Sequence, residues 1–173
     1  MTETTAFTPY EYLTIQVDRE LEALYKDTYR NFGWTIEGYA AGLPNVNTVS
    51  IKLKRDRRLP DRQAVLEQQR TAEHALATIA SLEHSKQTAP MIAALTAGVI
   101  GSAFLAGSVF AITANLWLLG IPLGVVGLAG WVAGYLAHGR VKANQARKVA
   151  PLIDREYETV YAAGEQASRL MAA

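Results

Sequence analysis

The densest group of residues able to do chemistry is the basic run Lys52, Lys54, Arg55, Arg57, Arg58 and Arg62. Such a run can neutralise phosphates, whether on an anionic lipid surface or on a nucleic acid. Here Asp56 and Asp61 interrupt it, and no aromatic side chain is interleaved within it for base stacking. The whole chain is balanced as well, with 17 basic against 16 acidic residues and a formal net charge of +1. A solvated strand edge, whose charges discourage strand-to-strand aggregation, is the better account, and no nucleic-acid partner is expected. The histidines His74, His84 and His138 stand at no i, i+3 or i, i+4 spacing, so they read as surface residues and not as metal ligands. Asp27, Tyr29, Asn31 and Trp34 gather polar and aromatic groups near a helix end. A helix terminus packing its rings onto a sheet explains them more simply than an active site does.

Other chemistries fail on residue type. The chain has no cysteine, which excludes disulfides, thiolate nucleophiles and Cys-based zinc sites. It has no glycine-rich phosphate loop, nucleophile elbow or HExxH motif. The sequence therefore nominates no catalytic, cofactor-binding or metal-binding residue, and a non-enzymatic role is expected.

What the sequence does carry is an uneven distribution of charge. Hydrophobic content of 50% and a mean hydropathy of +0.04 are ordinary for a soluble protein. Yet no Asp, Glu, Lys or Arg occurs from Gln87 to Gly139. A small soluble domain could not bury so long an uncharged segment, whereas a bilayer would accept it. One crossing takes about 20 apolar residues, so residues 89–138 suffice for two with a very short turn. The spans are placed at residues 91–112 and 116–137, with the turn at Thr113, Ala114 and Asn115. Pro90 suits a helix junction, and Pro122 a bend in the second span. The N-terminal residues have neither a basic region nor an apolar stretch of the signal-peptide kind, so insertion is expected to rest on this internal segment.

Orientation follows from the flanking charge. Lys86 precedes the first span, and Arg140, Lys142, Arg147 and Lys148 follow the second, while the turn has no basic residue. The positive-inside rule then puts both termini in the cytoplasm, with Trp117 at the outer interface and Trp131 and Tyr135 near the inner one. Ala94, Gly98, Gly101, Ser102 and Gly107 on the first span, and Gly120, Gly124, Gly127, Gly130 and Gly134 on the second, supply faces on which backbones can approach closely. They suit a homo-oligomer, but packing of the two spans on each other is the simpler use. The polar side chains at depth, Thr96, Ser102 and Ser108, are expected to bond back onto their own helix. They provide no ionisable relay for a pump or pore.

The N-terminal part reads as a βαββ unit. Leu13, Ile15 and Val17 alternate on a strand, and Asp18 can cap a helix that runs to Gly33 with Leu21, Leu24, Tyr25, Tyr29 and Phe32 on one face. Residues 34–39 and 48–54 read as two further strands, joined by the turn-rich residues 42–47, with Val49, Ile51 and Leu53 facing inward. One helix covering one face of three strands is the expected arrangement.

The residues Tyr10-Glu11-Tyr12, Phe32-Gly33-Trp34 and Leu53-Lys54-Arg55, each at the edge of one of these elements, resemble short bacterial domains of unknown function of the DUF4177 type. The match covers about the first third of the chain. The whole chain is similar to uncharacterised two-span membrane proteins of Gram-positive bacteria. That likeness lies in residues 27–34, 53–57 and 103–111. These resemblances imply an architecture and no known activity.

Residues 61–86 and 140–171 read as long amphipathic helices. One apolar stripe is Leu66, Ala72, Leu76, Ile79 and Leu82. The other is Val149, Leu152, Ile153, Val160, Tyr161 and Leu170, with a kink at Ala150-Pro151. The overall expectation is a mainly α membrane protein, in which a two-helix transmembrane hairpin is continued by long cytoplasmic helices and joined by a small N-terminal βαββ unit. Its parts are residues 1–58, 59–88, 89–138 and 139–173. The expected role is a membrane-anchored interaction or scaffold protein with the lipid bilayer and a cytoplasmic protein as partners. An accessory subunit of a membrane transport or envelope-biogenesis complex is the alternative.

Overall fold

The structure is a computed structural model that describes residues 8–40 and 47–172. The elements run in the order β1 (Tyr10–Asp18), a short 3-10 turn (Arg19–Leu21), α1 (Glu22–Asn31), β2 (Thr35–Ala40), β3 (Thr48–Asp56), α2 (Arg62–Thr113) and α3 (Trp117–Ala172). The expected βαββ order is present, and most of the turn read at residues 42–47 lies outside the described residues. By their internal packing, the residues up to Ala80 and from Ile153 onward form one compact unit, and Ser81–Leu152 form another.

In the first unit the three strands form an antiparallel sheet in the order β1-β3-β2. Strand alternation puts Leu13, Ile15 and Val17 of β1 opposite Leu53, Ile51 and Val49 of β3, so one face is apolar. Ile36 and Tyr39 of β2 lie opposite Leu53 and Ile51 although they are an odd number of residues apart. The register shift between Ile36 and Gly38 reconciles this, because a bulge at Glu37 inserts one residue and keeps both side chains on the inner face.

Helix α1 stops where the sequence predicts, and the reason is visible in its backbone. Gly33 has φ of +79°, the Gly33 N–H donates to the Arg30 carbonyl, and the Trp34 N–H reaches back to the Tyr29 carbonyl. This is a Schellman closure, which favours glycine at the left-handed position. It turns the chain so that Trp34 points into the core. Asp18 stands at the N-cap of the preceding 3-10 turn but makes no side-chain capping hydrogen bond.

The inner face is covered by more than α1, which corrects the expectation of a single covering helix. The start of α2 reaches it too: Gln69 bonds to Arg55 of β3, Gln69, Ala72 and Leu76 lie beside Thr28, Tyr29 and Phe32, and Val65 and Ile79 on the same stripe are buried. That stripe is centred one residue away from the one read in the sequence: Leu66 is only half-buried and Val65 is fully enclosed. On α3 the buried face is Ile153, Val160, Ala163 and Ala167, whereas Tyr161, assigned to the same stripe, is exposed. Small residues on this face permit a close approach, and a Cβ added at Gly164 would lie 3.1 Å from the side chain of Asn31.

In the second unit, α2 and α3 are joined by residues 114–116. Asn115 has φ of +61°, Asn115 N–H donates to Ile112 and Leu116 N–H to Ala111, so α2 also ends in a Schellman closure, here with asparagine in the left-handed position. The turn therefore falls where the sequence puts it. Pro90, Pro122 and Pro151 all lie inside helix. The two helices meet on glycine. A Cβ at Gly127 would lie 3.0 Å from the carbonyl oxygen of Gly101, one at Gly134 2.9 Å from Ala97 Cβ, and one at Gly120 2.5 Å from Ile112 Cγ1. Thr96 bonds to its own helix at the Ile92 carbonyl, as anticipated. Ser108 does not: its hydroxyl donates across to the Gly120 carbonyl at 2.6 Å. The absence of a Cβ at Gly120 brings that carbonyl within reach.

Both helices contain stretches long and apolar enough to cross a membrane, and only 17% and 11% of those stretches are buried within the protein. The core helix of a soluble domain would be mostly enclosed.

Candidate functional site

The alternation that buries Ile51 and Leu53 continues to Arg55, which is 2% exposed. It belongs to the run assigned in sequence to a solvated strand edge. That assignment is wrong on two counts, because β3 is the central strand and Arg55 faces the core. A guanidinium enters such a place only with its charge and donors matched. Glu11, directly opposite on β1, provides the charge: its carboxylate accepts from Arg55 Nε at 2.6 Å and also pairs with Arg55 Nη2. Nη1 donates to the Phe32 carbonyl at 3.1 Å and to Gln69 Oε1 at 2.8 Å. The Trp34 ring lies 4.3 Å from the guanidinium carbon, a cation–π stack.

The network extends in both directions. Arg62 Nη2 donates to the second oxygen of Glu11 at 3.1 Å. Gln69 Oε1 also accepts from Trp34 Nε1 at 3.1 Å, and its amide donates to Glu73 at 2.7 Å. Glu73 in turn accepts from the Tyr29 hydroxyl at 3.0 Å. Burial pushes the Glu11 carboxyl up, but the hydrogen bonds and charges of Arg55 and then Arg62 outweigh it, leaving its pKa below the usual glutamate value. Burial first, and then the Glu73 carboxylate, push the Tyr29 phenol strongly up, so it remains a neutral donor. All the nitrogens of Arg55 are engaged within the protein. The cluster is built to fasten sheet, α1 and α2 together and leaves no free guanidinium edge for a substrate.

Of the other residues singled out in sequence, Tyr29 and Trp34 meet edge to face, with ring centroids 6.2 Å apart. Asp27 is exposed and takes no part, and Asn31 lies beneath Gly164. His74, His84 and His138 are all exposed. Among the described residues no three His, Cys, Asp or Glu side chains are gathered as a metal site.

Among the described residues, the opposite face of the sheet is open. Tyr10 and Tyr12 are 46% and 63% exposed there, and Lys54 Nζ lies 4.1 Å and 5.8 Å from their ring centroids. Lys52, directly opposite Thr14, extends the same surface. The basic run thus divides between two faces: Arg55 goes inward, while Lys52 and Lys54 join tyrosines contributed by another strand. Strand pairing supplies the aromatic neighbours that the linear sequence lacks. No family model, no curated protein and no solved structure matches this chain, so its own residues carry the functional argument.

Proposed function

We propose that the protein is a non-enzymatic, membrane-anchored interaction protein. In this reading α2 and α3 cross the bilayer as a hairpin, both termini are cytoplasmic, and the open face of the sheet receives a protein partner. The observation that carries it is the surface of the unit Ser81–Leu152. Leu118 is 95% exposed and Phe110 75%, and they are joined by Val99, Val125, Val132 and Leu136 in a stretch without one charged residue. In water each such side chain would forfeit about 1.5–3 kcal/mol of burial free energy, whereas lipid tails remove the penalty. The same surface makes the hairpin reading economical, since the glycine contacts and the Ser108 bond already satisfy the faces that helices share.

The partner-binding part rests on Tyr10 and Tyr12, exposed aromatic side chains of the kind enriched in recognition patches, with Lys52 and Lys54 as a polar surround that would set the charge of the partner. Two measurements test the proposal. The full chain should resist alkaline extraction and float with vesicles. A partner cross-linked to it in its native membrane should be lost on combining Tyr12→Ser with Lys54→Glu. Release by alkali would refute the anchor, and cross-links indifferent to both substitutions would refute the sheet face as the docking surface.

A further inference from the structure

Two depressions in the unit Ser81–Leu152 share one side of the α2–α3 pair. The first, about 540 Å³, is apolar and bounded chiefly by Ala94, Gly98, Trp131 and Tyr135. The second, about 510 Å³, is polar and bounded by Glu83, Lys86, Gln87, Pro90, His138 and Lys142. Gln87, Ala94 and Gly98 recur at seven- and four-residue steps along α2. Trp131, Tyr135, His138 and Lys142 recur at four, three and four along α3. Residues so spaced lie above one another on a helix face, so Gln87 on α2 and His138 and Lys142 on α3 continue the line of the apolar depression, and we read the two depressions as one groove.

Resting on the membrane-spanning reading above, we propose that this groove binds one anionic phospholipid, with an acyl chain against Gly98 and Trp131 and the phosphate between Lys86 and Lys142. The dimensions fit. The apolar part, residues 94–102 of α2, is about 12 Å long at about 1.5 Å per residue, close to one leaflet's share of a hydrocarbon core about 30 Å thick. The polar part then falls at headgroup depth. Its charge fits too. Lys86 is held by Glu83 at 2.8 Å, Lys142 is exposed, and two ammonium groups against one carboxylate leave one positive charge for a monoanionic phosphodiester. His138 Nδ1 donates to the buried Pro90 carbonyl at 3.2 Å, a bond that ties the helices together at the floor of the polar end. A soluble anion would leave the apolar length unfilled, and a zwitterionic lipid would bring its own cation against Lys142.

Trp131 in the groove wall reports occupancy directly. The full chain carrying Trp117→Phe is placed in phosphatidylcholine vesicles, and its fluorescence is titrated with acyl-brominated phosphatidylglycerol or acyl-brominated phosphatidylcholine. Trp34, buried in the other unit, gives a constant background. Brominated phosphatidylglycerol should quench at a several-fold lower mole fraction than brominated phosphatidylcholine. Lys86→Gln and Lys142→Gln should each reduce that preference about fivefold, the effect of one basic residue at a lipid surface. Gly98→Leu, at a position where an added Cβ meets nothing within 4 Å, should fill the groove and weaken quenching by both lipids. Equal quenching by the two lipids, or a preference that survives both lysine substitutions, overturns the proposal while leaving the anchor intact. Absence of quenching by either lipid, in a chain that fails to float with the vesicles, overturns both.

Discussion

Arg55 Nη1 donates to the side-chain oxygen of Gln69 at 2.8 Å, joining the central strand of the sheet to the first part of α2. The bond lies in the core and belongs to a network in which every partner is polar or charged. Arg55 and Gln69 are its buried members, so removing either leaves a buried polar group without one of its partners, and this asymmetry sets the expected cost. Arg55→Met should destabilise the unit by about 1–3 kcal/mol, because Gln69 and the Phe32 carbonyl lose a buried donor while the partly exposed Glu11 keeps Arg62. Gln69→Leu should cost about 1–3 kcal/mol, that of an orphaned buried polar group. Hydrogen exchange of the β3 amides in the full chain measures both. Equal protection in wild type and Arg55→Met would contradict the role assigned to this network.

The same network makes the unit sensitive to acid. Folding lowers the Glu11 pKa from the usual 4.5, so the folded state holds its proton less readily than the unfolded chain. The stabilisation is complete above that value and is lost as pH falls through it towards the lowered one. Exchange protection in β1 and β3 should therefore decline with acidification below about pH 4.5, and Glu11→Gln should flatten that decline while lowering stability at neutral pH. A wild-type profile identical to that of Glu11→Gln would show that Glu11 is not the group responsible.

The glycines of the second unit divide into two kinds. Gly127 faces the backbone oxygen of Gly101, which cannot yield as a side-chain end can, whereas an added Cβ at Gly139 meets nothing within 4 Å. Gly127→Val should force the helices apart and lower the melting temperature of the purified protein in detergent, with a loss of about 1–3 kcal/mol as for overpacking elsewhere. Gly139→Ala should be neutral or stabilise by up to about 1 kcal/mol through helix propensity. Comparable losses at both positions would mean that the close approach of Gly127 to the Gly101 oxygen has no energetic consequence.

Much of this architecture is legible in the sequence, because it rests on periodicity and stop signals. The uncharged segment, the turn at Asn115 and the alternation of Ile51 and Leu53 all follow from residue type and spacing. What escapes is polar burial. Arg55 continues the inward alternation, but its charge makes it look solvated until Glu11 is known to lie opposite. Gln69 occupies the centre of an apolar stripe for the same reason: Trp34 and Arg55 satisfy it from elements far away in sequence. Ser108 looks self-satisfied until Gly120 brings a second helix within reach. Each error concerns a partner that only pairing or packing can supply.

Asn115 closes α2 from the left-handed region, which costs a β-branched residue much more than it costs asparagine or glycine. Asn115→Gly should retain the turn, and Asn115→Val should destabilise it by about 1–2 kcal/mol. Thermal stability in detergent checks the pair, and Asn115→Val matching Asn115→Gly would contradict the closure described for this turn.

The central claim, that α2 and α3 form a membrane hairpin with both termini inside, is tested most directly by labelling single cysteines in intact cells. The chain has no cysteine of its own, so each introduced thiol is the sole site. Ala114→Cys places one in the exposed turn without disturbing Asn115, and Ser168→Cys places one on the exposed side of the end of α3. A membrane-impermeant maleimide should modify Ala114→Cys in intact cells and Ser168→Cys only after lysis. Labelling of Ser168→Cys from outside, or of both positions only after lysis, would contradict the account.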